Sequence, residues 1–129
     1  MENTIIYTPG EDLVTVAIQG RIDFGSTSKM LSQLAGRLKE TNCLYILVDV
    51  RSAQLNMSLL GLLTQPGMIL SLARDRGIDL KPLRRAMVSL KDPKMLEVFE
   101  IFTRSLGGNF RRFHIIEEAK PWLKQLPIS

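Results

Sequence analysis

Thiols, imidazoles and aromatic rings are scarce in this chain. Its one cysteine, Cys43, leaves no internal disulfide possible, and a reducing cytoplasm is the expected compartment. One histidine, His114, beside that one cysteine falls short of the usual zinc ligand set, so no metal site is predicted. Aromatic residues make up only 6% of the sequence and few lie among the arginines, which argues against a base-stacking platform. No recognition helix is apparent either, so nucleic acid is not an expected partner. No stretch reaches the roughly 18 uncharged apolar residues that cross a bilayer. The opening MENTIIYTPGEDLVTV has no basic segment leading into a long apolar one, so no export signal is predicted. Without export, the Asn56-Met57-Ser58 sequon carries no weight. Phosphate-binding GxxxxGK and GxGxxG loops are missing, and no nucleophile elbow precedes any serine. No cofactor and no catalytic residue is assigned.

What remains is the composition of a soluble globular protein. The 129 residues, 45% apolar and 23% charged, predict a single domain over the whole chain. A chain of this size buries roughly two-thirds of its unfolded surface and needs neither metal nor disulfide to fold. Apolar runs at 5–7 and 13–18, separated by Pro9-Gly10, predict a hairpin whose second strand breaks at Gly20. Ser26, Thr27 and Ser28 are candidate caps for a helix burying Met30, Leu31, Leu34, Ala35 and Leu38. The continuous apolar run at 44–50 suits a strand covered on both faces. A short helical turn near Ser58 is expected next, then a longer helix with Pro66 in its first turn, stopped by Gly77. A fourth strand follows at 86–90, then a helix started by Asp92-Pro93 and ended by Gly107-Gly108. A fifth strand at 113–116 and a last helix at 117–126 complete the pattern. His114 would then be a satisfied histidine of the core. The predicted fold is α/β: a mixed, largely parallel five-stranded sheet flanked by four helices in the order β-β-α-β-α-β-α-β-α.

Three stretches carry a family resemblance: Gly20-Arg21-Ile22-Asp23, Val48-Asp49-Val50, and Glu117-Glu118-Ala119-Lys120-Pro121-Trp122-Leu123. Together, and in this order, they resemble the STAS superfamily, which includes domains of sulfate transporters and anti-sigma-factor antagonists. The similarity is to its SpoIIAA-like branch, which shares its fold with lipid-binding SEC14-type domains. The resemblance implies a loop after the third strand whose serine is phosphorylated to switch partner binding. The corresponding loop here reads Leu55-Asn56-Met57-Ser58-Leu59-Leu60-Gly61, with no acidic residue before Ser58 and Leu59 where a small residue is usual. Ser58 is therefore read three ways: a plain helix cap, a phospho-acceptor or partner contact, or a catalytic group.

If strands two to five run parallel, their carboxyl ends share one rim, where ligands of open α/β sheets bind. That rim would collect Arg21, Asp23, Arg51, Asn56, Lys91 and several helix N-termini, a setting that welcomes an anion. The opposite pole gathers basic residues, among them Arg84, Arg85, Arg111 and Arg112, in a chain of net charge +4. It is a candidate contact for an anionic membrane surface or an acidic protein. The Leu- and Met-rich stretch at 57–72 reads as core, with a ligand pocket or homodimer seam as alternatives. The leading functional expectation is a non-enzymatic regulatory module that binds a protein partner at the rim. The alternatives are a carrier or sensor of an apolar anionic ligand such as a lipid, and a hydrolase-type enzyme.

Overall fold

In a computed structural model of the chain, residues 2–22, 24–55, 59–79, 82–90, 100–101, 103–104 and 109–125 are described. Strand β1 (Glu2–Thr8) alternates exposed and half-buried residues, the two-residue period of a strand with one wet face. The chain then turns back, with the Glu11 and Asp12 amides donating to the Thr8 and Pro9 carbonyls, both at 3.2 Å. Asp12 adopts a left-handed φ of 46°, which a short polar side chain tolerates. Strand β2 (Leu13–Ile22) pairs antiparallel with β1 from Leu13↔Thr8 to Gln19↔Glu2. The expected break at Gly20 is absent. The strand passes through this residue at φ 80° because β3 stays alongside it, with Gly20 facing Ala53 and Ile22 facing Leu55.

Helix α1 (Phe24–Thr41) begins ahead of the expected caps, so Ser26, Thr27 and Ser28 lie inside it. Strand β3 (Tyr45–Leu55) is longer than the apolar run that announced it. Helix α2 (Leu59–Asp75) is one continuous helix, not a turn followed by a second helix at Pro66. Pro66 is interior, so the ladder forgoes one N–H donor there and continues on both sides. Gly77 ends α2 as predicted, with a left-handed φ of 74°. Ile78 N–H donates to the Ala73 carbonyl at 2.8 Å and Gly77 N–H to the Arg74 carbonyl at 2.9 Å, the two bonds of a Schellman cap.

Strands β4 (Arg84–Val88) and β5 (Asn109–Phe113) both start earlier than expected. The β5 run NFRRF looks polar, but Phe110 is buried and the guanidinium of Arg111 lies over the Phe113 ring, contacts that the sequence pattern does not announce. His114 accordingly falls after β5 and is exposed, not a core histidine. Helix α3 (Ile116–Lys124) closes the described chain. Among the described residues three helices are delimited, where four were expected. Residues 100–101 and 103–104 are helical and belong to the expected helix after Asp92, the rest of which lies outside the described residues.

The strand order is β1-β2-β3-β4-β5, with β2 to β5 parallel and β1 antiparallel to β2. Alternation along the strands divides the core in two. Val14, Val16, Ile18 and Ile46 face α1, meeting Met30, Leu34 and Leu38. Leu13, Leu47, Ala86 and Val88 face the other way, against Ala119 and Leu123 of α3. Leu123 is fully buried; truncating such a leucine to alanine costs roughly 2–5 kcal/mol. The sheet is thus a central layer with α1 and α3 on opposite faces.

Candidate functional site

The parallel run of β2 to β5 brings their carboxyl ends to one pole, with Asp49 of β3 level with Val88 of β4 and Phe113 of β5. The rim is stepped. Beyond Asp49, β3 continues through residues 50–55 with β2 alone, overhanging the ends of β4 and β5 by roughly 20 Å at about 3.3 Å per residue. A bulge starts the overhang, where Ile18 opposes both Val50 and Arg51. It keeps Ile22 and Ala53 packed on the α1 core, while Gln19, Arg21, Ser52 and Gln54 are exposed.

On the lower step, Ser89 and His114 tie the strand ends together. Ser89 N–H donates to the Phe113 carbonyl at 2.9 Å, and His114 Nδ1 lies 3.0 Å from the Ser89 carbonyl. Ser89 is 2% exposed, and among the described residues its hydroxyl meets no hydrogen-bond partner. The residues that follow present large apolar groups to solvent: Leu90 is 64% exposed and Ile115 48%. Ile115 is also the N-cap of α3, without a side-chain cap, and Glu117 and Glu118 in the first turn complement the helix dipole instead.

Asp49 and Arg51 form a close ion pair at this pole. Arg51 donates through Nε at 3.0 Å and NH2 at 2.9 Å to the two carboxylate oxygens of Asp49, a fork-to-fork pair. Its backbone N–H adds a third bond at 3.1 Å. These bonds hold the Asp49 carboxyl below the usual carboxylate range, against partial burial that pulls the other way. Glu117 adds a further negative charge within electrostatic reach of Arg51. Arg51 is therefore already neutralised, and the rim around it is mixed polar and apolar in character.

No family model and no curated protein matches this sequence. Solved structures do. The anti-sigma factor antagonist SpoIIAA in its unphosphorylated form superimposes over 97% of this chain and 100% of its own, with a TM-score of 0.58 at 13% identity. An anti-sigma factor antagonist from Mycobacterium paratuberculosis matches over 96% of this chain and 94% of its own (TM-score 0.61, 15% identity). An uncharacterized DUF3478-family protein from Shewanella loihica PV-4, itself described as SpoIIAA-like in fold, matches over 95% and 92% (TM-score 0.62, 17% identity). The chain has the SpoIIAA-like fold. Among its described residues no helix is long and apolar enough to cross a membrane, and no cluster of three or more His, Cys, Asp or Glu could hold a metal ion.

Within this SpoIIAA-like frame the predicted site residues are scattered. Arg21 is exposed on the overhanging ribbon, opposite Gln54. Arg51 lies within β3 and not in the loop after it. Asp23, Asn56, Ser58 and Lys91 lie outside the described residues. The four arginines of the expected basic face do not share one face, because neighbouring strand residues point to opposite sides of the sheet. Arg84 lies 4.5 Å over the Trp122 ring and donates to the Trp122 carbonyl at 2.7 Å. Arg85 stacks at 5.6 Å over Phe110, and burial pulls its guanidinium below the ordinary arginine range. Arg111 covers Phe113 at 5.4 Å, and Arg112 donates its backbone N–H to Glu100. Arg84, Arg85 and Arg111 thus serve as packing elements of this chain as much as surface charges. Sequence reading missed the exposed Leu90 and Ile115. The one local signal for them was an apolar residue two positions past each of two strand ends.

Proposed function

We propose that this chain is a non-enzymatic regulatory module acting as one domain, which binds a protein partner at the stepped rim. One observation carries the reading: Leu90 and Ile115 stand exposed at the ends of adjacent strands, bordered by the polar groups of the β2–β3 overhang. Apolar anchors within a polar surround are the anatomy of a protein-binding patch. The SpoIIAA-like fold supports it, since two of the matching structures are named anti-sigma factor antagonists. The partner proposed is a protein of the class those antagonists act on, an anti-sigma factor. Ser58, directly before the first residue of α2, is the proposed phospho-acceptor or partner contact of the same surface. A reducing cytoplasm, in which Cys43 stays a thiol, is the compartment this role implies. The test is affinity capture with the full chain, comparing Leu90→Glu with Ile115→Glu and Ser58→Glu. Loss of at least about tenfold in affinity is expected for the first two variants, the scale of a hot-spot side chain. Capture unchanged by all three substitutions would exclude the rim as the contact.

A further inference from the structure

The two outer edges of the sheet differ sharply. At β5 two of the outward backbone groups are occupied by side chains. The Phe113 carbonyl points to β4, where it accepts from Ser89, so Phe110 and Arg112 direct their backbone groups outward. Glu100 Oε2 accepts the Arg112 N–H at 2.8 Å, and Arg104 Nε donates to the Phe110 carbonyl, also at 2.8 Å. An ion pair of 3.5 Å joins Glu100 to Arg104. A strand arriving at β5 would have to displace both, which is how native sheets blunt an edge.

Strand β1 has no such guard among the described residues. Its sequence ENTIIYT has no proline and no lysine, its register with β2 is unbroken by a bulge, and its one charge is Glu2. Among the described residues no strand and no side chain occupies its outer edge. Ile5 and Tyr7 pack toward α1, so Ile6 points to the opposite face, where it is 54% exposed.

We propose that β1 pairs antiparallel with β1 of a second copy of this chain, joining two five-stranded sheets across a two-fold axis. Full overlap puts Ile5 on the axis. Ile6 then opposes Thr4 of the second copy, Tyr7 opposes Asn3, and Thr8 opposes Glu2. No like charges meet, and β-branched residues lie opposite one another at the centre, the pairing that sheets favour. The guard on β5 decides between assemblies. Head-to-tail addition of β1 to β5 would propagate an open filament, and Glu100 and Arg104 block it. The two-fold arrangement consumes both bare edges and leaves only guarded ones, so it closes as a dimer.

Sedimentation velocity of the full chain over a concentration series tests this. The expected mass is twice the 14.6 kDa of one chain. Thr4→Lys combined with Ile6→Lys sets lysine against lysine on both sides of the axis, at two exposed positions, and thermal unfolding of the monomer is expected to stay close to that of the parent chain. Its dimer dissociation constant is expected to rise at least about tenfold. Thr4→Glu combined with Ile6→Lys sets opposite charges at the same contacts and is expected to restore the dimer. A wild-type chain that stays monomeric overturns the proposal and leaves the β1 edge to a different protein. A dimer indifferent to the double-lysine change, or a charge-swapped variant no tighter than it, overturns the proposal as well.

Discussion

Lys124, in the last turn of α3, donates its ammonium to the Asp12 carbonyl at 3.0 Å, joining residues 112 positions apart. The same ammonium sits 3.8 Å over the Tyr45 ring. Asp12 in turn accepts the Tyr7 hydroxyl at 3.0 Å, and its carbonyl lies 3.3 Å from Cys43 Sγ. One turn earlier, Lys120 pairs with Glu11 at 3.1 Å. The turn of the first hairpin is thus clasped by the last helix.

Lys124→Met keeps most of the aliphatic stem and deletes the donor and the charge. The expected loss is about 1 kcal/mol, the scale of one net hydrogen bond with a cation–π contact at an exposed site. Lys120→Ala, which breaks only an exposed ion pair, should cost no more than about 0.5 kcal/mol. Urea unfolding of the two variants beside the parent chain checks the ordering. Equal losses would mean that the backbone contact of Lys124 adds nothing.

Arg84 is held by two contacts at once, over the Trp122 ring and hydrogen-bonded to the Trp122 carbonyl. Lysine cannot reproduce both, because its ammonium is a point charge without a planar face. Arg84→Lys is expected to destabilise by about 1 kcal/mol. Trp122 is the one tryptophan of the chain, so the same variant reads out as a red shift of intrinsic emission. Unchanged emission would show that the guanidinium does not shield the indole.

Asp49 links stability to pH. Its folded carboxyl titrates below the usual range because Arg51 binds the ionised form. The native state therefore holds its proton less tightly than the unfolded chain does. The stabilisation is complete above the unfolded carboxylate pKa of about 3.9 and is lost as pH falls through the lower folded value. Arg51 is partly exposed, so the screened contribution is about 0.5–1 kcal/mol at neutral pH. Asp49→Asn should lower stability by that amount at pH 7, and the gap should close in acid. A gap that persisted below the folded pKa would point to packing and not to charge.

The hairpin, α1, the strand-helix alternation and the Gly77 stop were legible because each rests on a local signal. Pro9-Gly10 marks a turn, apolar residues spaced for one helical face mark α1, and glycine accepts the left-handed cap. The overhang of β2 and β3 was not legible. Gln19, Gly20 and Arg21 pair with Ser52, Ala53 and Gln54, and neither polar stretch reads as a strand until the other lies beside it. The candidate anion rim fared similarly. Arg51 looked available, although its spacing from Asp49, two residues along one strand, was the sign that the pair could meet.

From the sequence alone came the order of elements and the parallel layering, since periodicity and turn chemistry act over a few residues. Tertiary structure alone decided where the strands end, which arginines are spent on rings and carboxylates, and which edge of the sheet is guarded. Backbone hydrogen bonds and paired charges are completed by groups far away in the chain, and no local pattern encodes which group arrives.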